Sequence, residues 1–257
     1  MTGFAVRVAA ISDLHIGAPA GRDGFGHAIS DFAAWLDRLE RDHDRIVLLG
    51  DVFQTDHTIV PGARRRASQL HAARQRAGVL AQRFTDDRYH YVHGNHDAIA
   101  KRELATPTEL RLAADGVDLL FTHGHQFDPV ARGAQWLADL GTWTTGALRR
   151  TPLLALARWL EAHDVAIKHA RFGGRDGPYA RGAAELGTRA HAQVVIMGHT
   201  HAAELHELGD VLYANTGTCS GGRRECVSID TGARTVALLH WPQGERDPIC
   251  RARAAIG

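Results

Sequence analysis

Five short, largely apolar runs, each stopping abruptly in a cluster of Asp, Asn and His, constrain this chain of 257 residues more than any other feature. Val6–Ile11 ends in Ser12-Asp13-Leu14-His15, Ile46–Leu49 in Gly50-Asp51, and Tyr89–His93 in Gly94-Asn95-His96-Asp97. Val117–Phe121 ends in Thr122-His123-Gly124-His125, and Val194–Met197 in Gly198-His199-Thr200-His201. Such runs, rich in β-branched and aromatic residues, read as core strands. Polar groups gathered where buried strands stop need partners once water is removed, and a metal ion supplies one to several of them at once. Asp13 and His15, two apart on an extended segment, share a face that lets them chelate one ion, although D-x-H taken alone reads first as a turn-capping Asp beside a surface His.

The stretches between these runs are helical or turn-like. Ile29, Phe32, Ala33, Leu36 and Leu39 recur at helical spacing and predict a crossover helix. Val60–Phe84 carries Arg64, Arg65, Arg66, Arg74 and Arg76 among alanines and glutamines and reads as one long exposed helix. No aromatic residues interleave those arginines as a platform for single-stranded nucleic acid requires. Leu110–Asp118 leads into the fourth strand, and residues 127–192 change to helical segments rich in Leu and Trp, an insertion between two core strands. That interval ends in the basic, glycine-punctuated stretch Lys168–Arg181, suited to an anionic ligand or to a polar connector. Val211–Ala214, Val227–Ile229 and Val236–His240 then predict a closing antiparallel meander. The expectation is one α/β domain over residues 1–257, with its ligand site beyond the carboxyl ends of the strands.

Charge and cysteine content narrow the function. Thirty basic and 29 acidic residues leave a formal charge of +1, which argues against nucleic acid as a partner. Cys219, Cys226 and Cys250 lack C-x-x-C spacing and read as reduced thiols, neither a disulfide framework nor a thiolate zinc site. The Phe4–Ile11 run has no basic region or cleavage site before it, and no apolar run reaches the roughly 20 residues of a membrane span. A cytoplasmic location is expected, with peripheral membrane contact left open.

Asp, His and Asn without Cys make an oxygen and nitrogen donor set, suited to Mn, Fe or Zn. The ordered series D-x-H, G-D, G-N-H-D, T-H-G-H and G-H-T-H, running from Asp13 to His201, resembles the calcineurin-like metallophosphoesterases. The resemblance implies a four-layer α/β/β/α sandwich holding two divalent metal ions, manganese first and iron or zinc as alternatives. Asp13, His15, Asp51 and His201 would hold one ion, and Asp51, Asn95, His123 and His199 the other, with Asp51 bridging. It implies hydrolysis of a phosphomonoester, phosphodiester or pyrophosphate bond by a metal-bridging hydroxide, with His96 as catalytic acid and Asp97 orienting it. His125 lies two residues past the expected ligand His123 and is left out of the ligand set, its role open.

Within the family, G-D-V-F-Q, T-H-G-H-Q-F-D and the insertion look most like the UDP-2,3-diacylglucosamine pyrophosphatase branch, which implies a small phosphoester or a lipid- or nucleotide-linked substrate. Gln54 departs from that pattern, where an acidic residue is common, and His96 stands where the branch often carries arginine. A nuclease of the same family and a non-catalytic metal-binding scaffold are the alternatives. A closed (β/α)₈ hydrolase fits less well, because it usually opens with H-x-H and has no C-terminal meander.

Overall fold

The structure, a computed structural model, describes residues 5–18, 23–56, 62–129 and 170–257. Its elements in chain order are β1 (Arg7–Ile11), α1 (Ile29–Asp42), β2 (Arg45–Leu49), α2 (Ala63–Ala77), α3 (Val79–Arg83), β3 (Tyr89–Val92), α4 (Ala100–Glu103), β4 (Glu109–Ala114) and β5 (Val117–Thr122). After a 3₁₀ turn at His125–Phe127 come α5 (Pro178–Ala190), β6 (Val194–Met197), β7 (Ala203–Leu208), β8 (Val211–Thr216), β9 (Glu225–Asp230), β10 (Thr235–His240) and β11 (Ile249–Ala255).

Strand periodicity builds the layers. In β1 and β2, Val8, Ala10, Val47 and Leu49 face a second sheet and pack with Val92, Leu119, Phe121, Val194, Ile196 and Leu212. Their neighbours Ala9, Ile11, Ile46 and Leu48 face outward onto Phe32, Trp35, Leu36 and Leu39 of α1 and Leu70 of α2. On the far side, Leu120, Val195, Met197 and Tyr213 pack against Tyr179, Ala183 and Leu186 of α5. Strands buried on both faces have no polar side, which is why they read as continuous apolar runs. Each buried Val, Leu, Ile or Phe among them contributes about 1.5–3 kcal/mol, so the two sheets and their helices hold together as the four-layer α/β/β/α sandwich.

The first sheet has the order β11-β10-β9-β1-β2-β3 and the second β4-β5-β6-β8-β7. β1, β2 and β3 are parallel, as are β5, β6 and β8, so five of the six carboxyl ends lead into the polar clusters. No helix among the described residues is long and apolar enough to cross a membrane.

Three expectations change. The arginine-rich helix is two helices, interrupted at Gly78 with φ +52°, and it buries Leu70, Ala73, Ala77 and Leu80. Residues 57–61 at its expected start lie outside the described residues. Leu110–Ala114 is itself in a strand, paired antiparallel to β5 across Asp115-Gly116, whose φ values of +51° and +72° suit a two-residue hairpin turn. The C-terminal strands do not form a single meander: β8 runs parallel to β6 in the second sheet, while β9, β10 and β11 extend the first. Of the 127–192 interval, α5 forms the outer layer of the second sheet, and residues 130–169 lie outside the described residues.

Candidate metal centre

Both sheets deliver their strand ends to one place. The loop after β1 is tied to the loop after β2 by Asp13 N–H to Gly50 O at 3.1 Å and His15 N–H to Asp51 O at 2.9 Å. The sheets are joined by His199 N–H donating to Asp13 Oδ2 at 3.0 Å. Asp13, His15, Asp51, His199 and His201 all have positive φ, between +51° and +70°. Left-handed backbone costs of order 1–3 kcal/mol per non-glycine residue and concentrates at functional sites. Asp13 and His15 lie beyond the end of β1 and converge through left-handed turns, not through the extended segment that their spacing predicts.

Glycine is required beside these residues for space. A Cβ at Gly94 would overlap the Asp51 carboxylate, and one at Gly50 would overlap the His123 ring.

Three sets of potential donor atoms lie close together: Asp13, His15 and His201; His15, Asp51 and His96; and Asp51, His123 and His199. Asp51 belongs to two of them, and the sets adjoin through His15 and Asp51. His15 Nδ1–H donates to Gln54 Oε1 at 2.8 Å, leaving an Nε2 lone pair 3.2 Å from His201 Nε2. Asp13 Oδ1 stands 3.1 Å from that same His201 nitrogen and makes no hydrogen bond. His123 Nδ1–H donates to Leu49 O at 2.8 Å, so its buried Nε2, without a hydrogen bond, presents a lone pair 3.2 Å from Asp51 Oδ2. Asn95 Oδ1 is also buried without a hydrogen bond. Such convergent lone pairs repel one another unless a cation stands among them. Two ligand atoms on one tetrahedral ion are about 3.4 Å apart, close to the spacings found here. The donor set therefore fits divalent metal.

His199 Nε2 lies 3.1 Å from Asp128 Oδ2, so this nitrogen donates and Nδ1 keeps the lone pair. Asp128 was visible in the T-H-G-H-Q-F-D stretch without any cue to this contact. His125 sits beside the cluster, its ring 5.5 Å from His123 and 6.4 Å from His199, and is in none of the three donor sets.

The expected pairing of Asp97 with His96 is not what the structure contains. Asp97 is fully buried and its carboxylate accepts backbone N–H groups of Gly94 at 2.6 Å, Val52 at 2.7 Å, and Asp51 and Phe53 at 3.3 Å, together with the Tyr91 hydroxyl. It fastens the loops after β2 and β3 together. The carboxylate facing His96 is that of Asp56, whose Oδ2 is 2.6 Å from His96 Nδ1. His96 N–H also donates to Asp51 Oδ1 at 2.8 Å.

Charges within the cluster sort its groups. Burial would raise the Asp51 carboxyl, but the His123 and His96 imidazoles outweigh it and hold the group well below the usual range. Asp13 is lowered in the same way, burial being outweighed chiefly by His201. Burial, then His96, pulls His15 down to about 3, and burial with His123 and His199 pulls His125 down to about 3. Burial also lowers His199, against Asp128. His96 and His123 move oppositely: burial opposes, but Asp56 and Asp51 raise His96 to about 10, and Asp51 raises His123 to about 9, so with no cation beside it His123 Nε2 holds a proton against Asp51, and a metal ion would displace that proton to reach the lone pair. Asp97 is pushed up to about 6 by burial and by Asp51.

Fold and site together define a metallophosphoesterase sandwich with a donor cluster at its strand ends. The chain belongs to the calcineurin-like phosphoesterases, whose sequence pattern matches residues 6–203, and at family level it is a metal-dependent phosphoester hydrolase. It is 25% identical over 231 residues to a UDP-2,3-diacylglucosamine hydrolase of Shewanella sp. (strain W3-18-1), covering 79% of this chain and 84% of that one. Against the protein of the same name from Shewanella baltica (strain OS195) it is 21% identical over 220 residues, 80% of this chain and 85% of that one. Its fold is similar to that of Vps29 from Entamoeba histolytica, solved as a zinc complex, with a TM-score of 0.53, 16% identity and coverage of 98% and 99%.

Proposed function

We propose that this chain hydrolyses a phosphoester or pyrophosphate bond of a small lipid- or nucleotide-linked substrate, using two divalent metal ions. The observation that carries this reading is a run of adjoining donor sets: Asp13, His15 and His201 share His15 with the set of His15, Asp51 and His96, which in turn shares Asp51 with the set of Asp51, His123 and His199. Asp13, His15, Asp51 and His201 would hold one ion, and Asp51, Asn95, His123 and His199 the second. Manganese is the first choice, and the same donors accept iron or zinc. When bound, the ions supply Lewis-acid stabilisation of charge on the phosphoryl oxygens.

The protein's own groups do the rest. Gln54 and the Leu49 carbonyl fix the tautomers of His15 and His123, and Asp128 fixes that of His199, so each ring presents a lone pair in a set orientation. Asp97 holds the two loops that carry Asp51 and Asn95 in register. His96, its charged form favoured by Asp56 and Asp51, donates a proton to the oxygen that leaves phosphorus. The names of the Shewanella relatives support a nucleotide-linked lipid sugar as the substrate class to test first. The 1–257 chain acts as one domain, because strands from both its ends lie in the first sheet.

The test is a screen of the manganese-loaded protein against phosphomonoesters, phosphodiesters, nucleoside diphosphate sugars and lipid phosphates, with metal content measured alongside. Metal-dependent turnover of a nucleoside diphosphate sugar above the simple esters is the expected result. A protein that binds ions yet cleaves none of the four classes is a scaffold.

A further inference from the structure

We propose that Asp56 is the positioning residue for His96, holding the imidazole by its Nδ1–H so that Nε2 is the nitrogen presented to the leaving oxygen. This inference rests on the reading of His96 as proton donor given above. The 2.6 Å separation between Asp56 Oδ2 and His96 Nδ1 is that of a charge-assisted hydrogen bond. With Nδ1 so engaged, the ring turns Nε2 toward the cluster, 3.9 Å from Asp51 Oδ2.

Neither of the two other candidates can take this part. Asp97 adjoins His96 in sequence, but its carboxylate is occupied by four backbone N–H groups and the Tyr91 hydroxyl. Gln54 occupies the position where the resembling family commonly carries an acid. It is uncharged, its Oε1 already accepts from His15 Nδ1, and its Nε2, 3.0 Å from His96 Nδ1, is a donor that cannot accept the Nδ1–H. Its amide N–H₂ donates to Asp56, so Gln54 braces the carboxylate that acts in its place two residues farther along.

Thr55, between them, grips the backbone of His96: its N–H and its hydroxyl both donate to His96 O, at 3.1 and 2.6 Å. The tripeptide Gln54-Thr55-Asp56 therefore fixes the ring and the backbone of His96, and through Gln54 it also sets the His15 ring. Loss of the Asp56 carboxylate removes the ring's only anionic partner at Nδ1 among the described residues, while Thr55 still holds the loop.

The experiment compares Asp56→Asn and His96→Ala on an alkyl ester and a p-nitrophenyl ester of the same phosphate, with metal content measured. A general acid matters for an alkoxide leaving group and little for a nitrophenolate. Asp56→Asn should lower kcat on the alkyl ester about 10- to 100-fold and on the nitrophenyl ester less than about threefold, with ions retained. The double variant should be no slower than His96→Ala alone, since the two residues act as a unit. Independently of turnover, ¹⁵N NMR of the metal-free protein should show the hydrogen-bonded Nδ1 proton of His96 in the wild type and its loss in Asp56→Asn.

Equal losses on both esters, unchanged kcat on both, or an unaltered Nδ1 signal overturns the positioning role. So does loss of ions or of folding in Asp56→Asn accompanied by equal losses, which makes Asp56 a loop brace. If His96→Ala itself slows both esters equally, the proton-donor reading fails and this inference falls with it. If only Asp56→Asn lacks leaving-group dependence, the reading stands and the inference alone fails.

Discussion

Two kinds of buried carboxylate residue are linked through Thr218, whose hydroxyl donates to Asp13 O and whose N–H donates to Glu225 Oε2, and they are solved in opposite ways. Glu225, 1% exposed, is fully engaged: Oε2 accepts from Thr218 N–H at 3.0 Å and Arg223 Nη2 at 2.9 Å, and Oε1 from Arg251 Nη1 at 3.1 Å. Asp97 is engaged in the same manner by backbone N–H groups. Asp13, equally buried, keeps Oδ1 without a hydrogen bond and is carried on left-handed backbone. A buried charge with complete partners is a brace. One left incomplete, on strained backbone, among imidazole lone pairs, is waiting for a cation. Substitutions should therefore separate the two groups by what is lost: ions and turnover in one, folding stability in the other.

The largest effect is expected at Asp51, which faces both halves of the cluster. Asp51→Asn should release both ions and lower kcat by on the order of 10³-fold or more, with metal analysis and turnover as the paired readouts. Two tightly held ions and normal turnover in this variant would end the shared-ligand assignment. Gly94→Ala comes next, because its Cβ would overlap both the carboxylate and the backbone N of Asp51. It should weaken metal affinity about 10- to 100-fold, as changes beside ligands do, and a titration that matches wild type would show the loop to be more pliant than its packing indicates.

Glu225→Gln should do the reverse. It leaves Arg223 and Arg251 without their carboxylate, and because both arginines are about half exposed the cost is modest, about 1–3 kcal/mol, read as a lower Tm. Metal content should stay at the wild-type level. Loss of ions without loss of stability would place Glu225 in the wrong group.

The smallest effect concerns pH. His43 closes α1, with Nδ1–H donating to Leu39 O at 2.9 Å and Nε2 accepting from the Ser228 hydroxyl at 2.8 Å, so it is held neutral and burial lowers its pKa. A histidine whose folded pKa lies below its unfolded value contributes stability above about pH 6.5, and that stability fades as the pH falls and the unfolded chain takes up the proton. The wild-type Tm should therefore drop between pH 7 and 5 by more than that of His43→Gln. Parallel Tm profiles would remove His43 from the acid-sensitive groups.

Strand ends, ligand types and layer pattern were legible in the sequence, because a strand buried on both faces must be apolar throughout and its polar end must then be abrupt. Val8 and Ala9, or Val47 and Leu48, could be read as core without knowing which face each served. The hairpin at Asp115-Gly116 had a readable signal too, since that dipeptide favours the positive φ values its turn adopts. Periodicity predicts the arginine-rich helix as unbroken, because it says nothing of a single residue of positive φ at Gly78.

What the sequence determined by itself is the inventory: which residues carry oxygen and nitrogen donors, and that each follows a core strand. Only the tertiary structure decided how they are partnered. Adjacency in sequence favoured Asp97 for His96, yet the chain turns so that Asp97 points back into the N–H groups of its own and the neighbouring loop, and Asp56 arrives from β2's loop instead. Likewise Asp128 meets His199 from 71 positions away, and β8 enters one sheet while β9 crosses to the other. Hydrophobic pattern specifies that a segment is buried, a property of the segment alone. Hydrogen-bond partners depend on direction and on distances of a few tenths of an ångström between segments far apart in the chain, and those are set only when the layers pack.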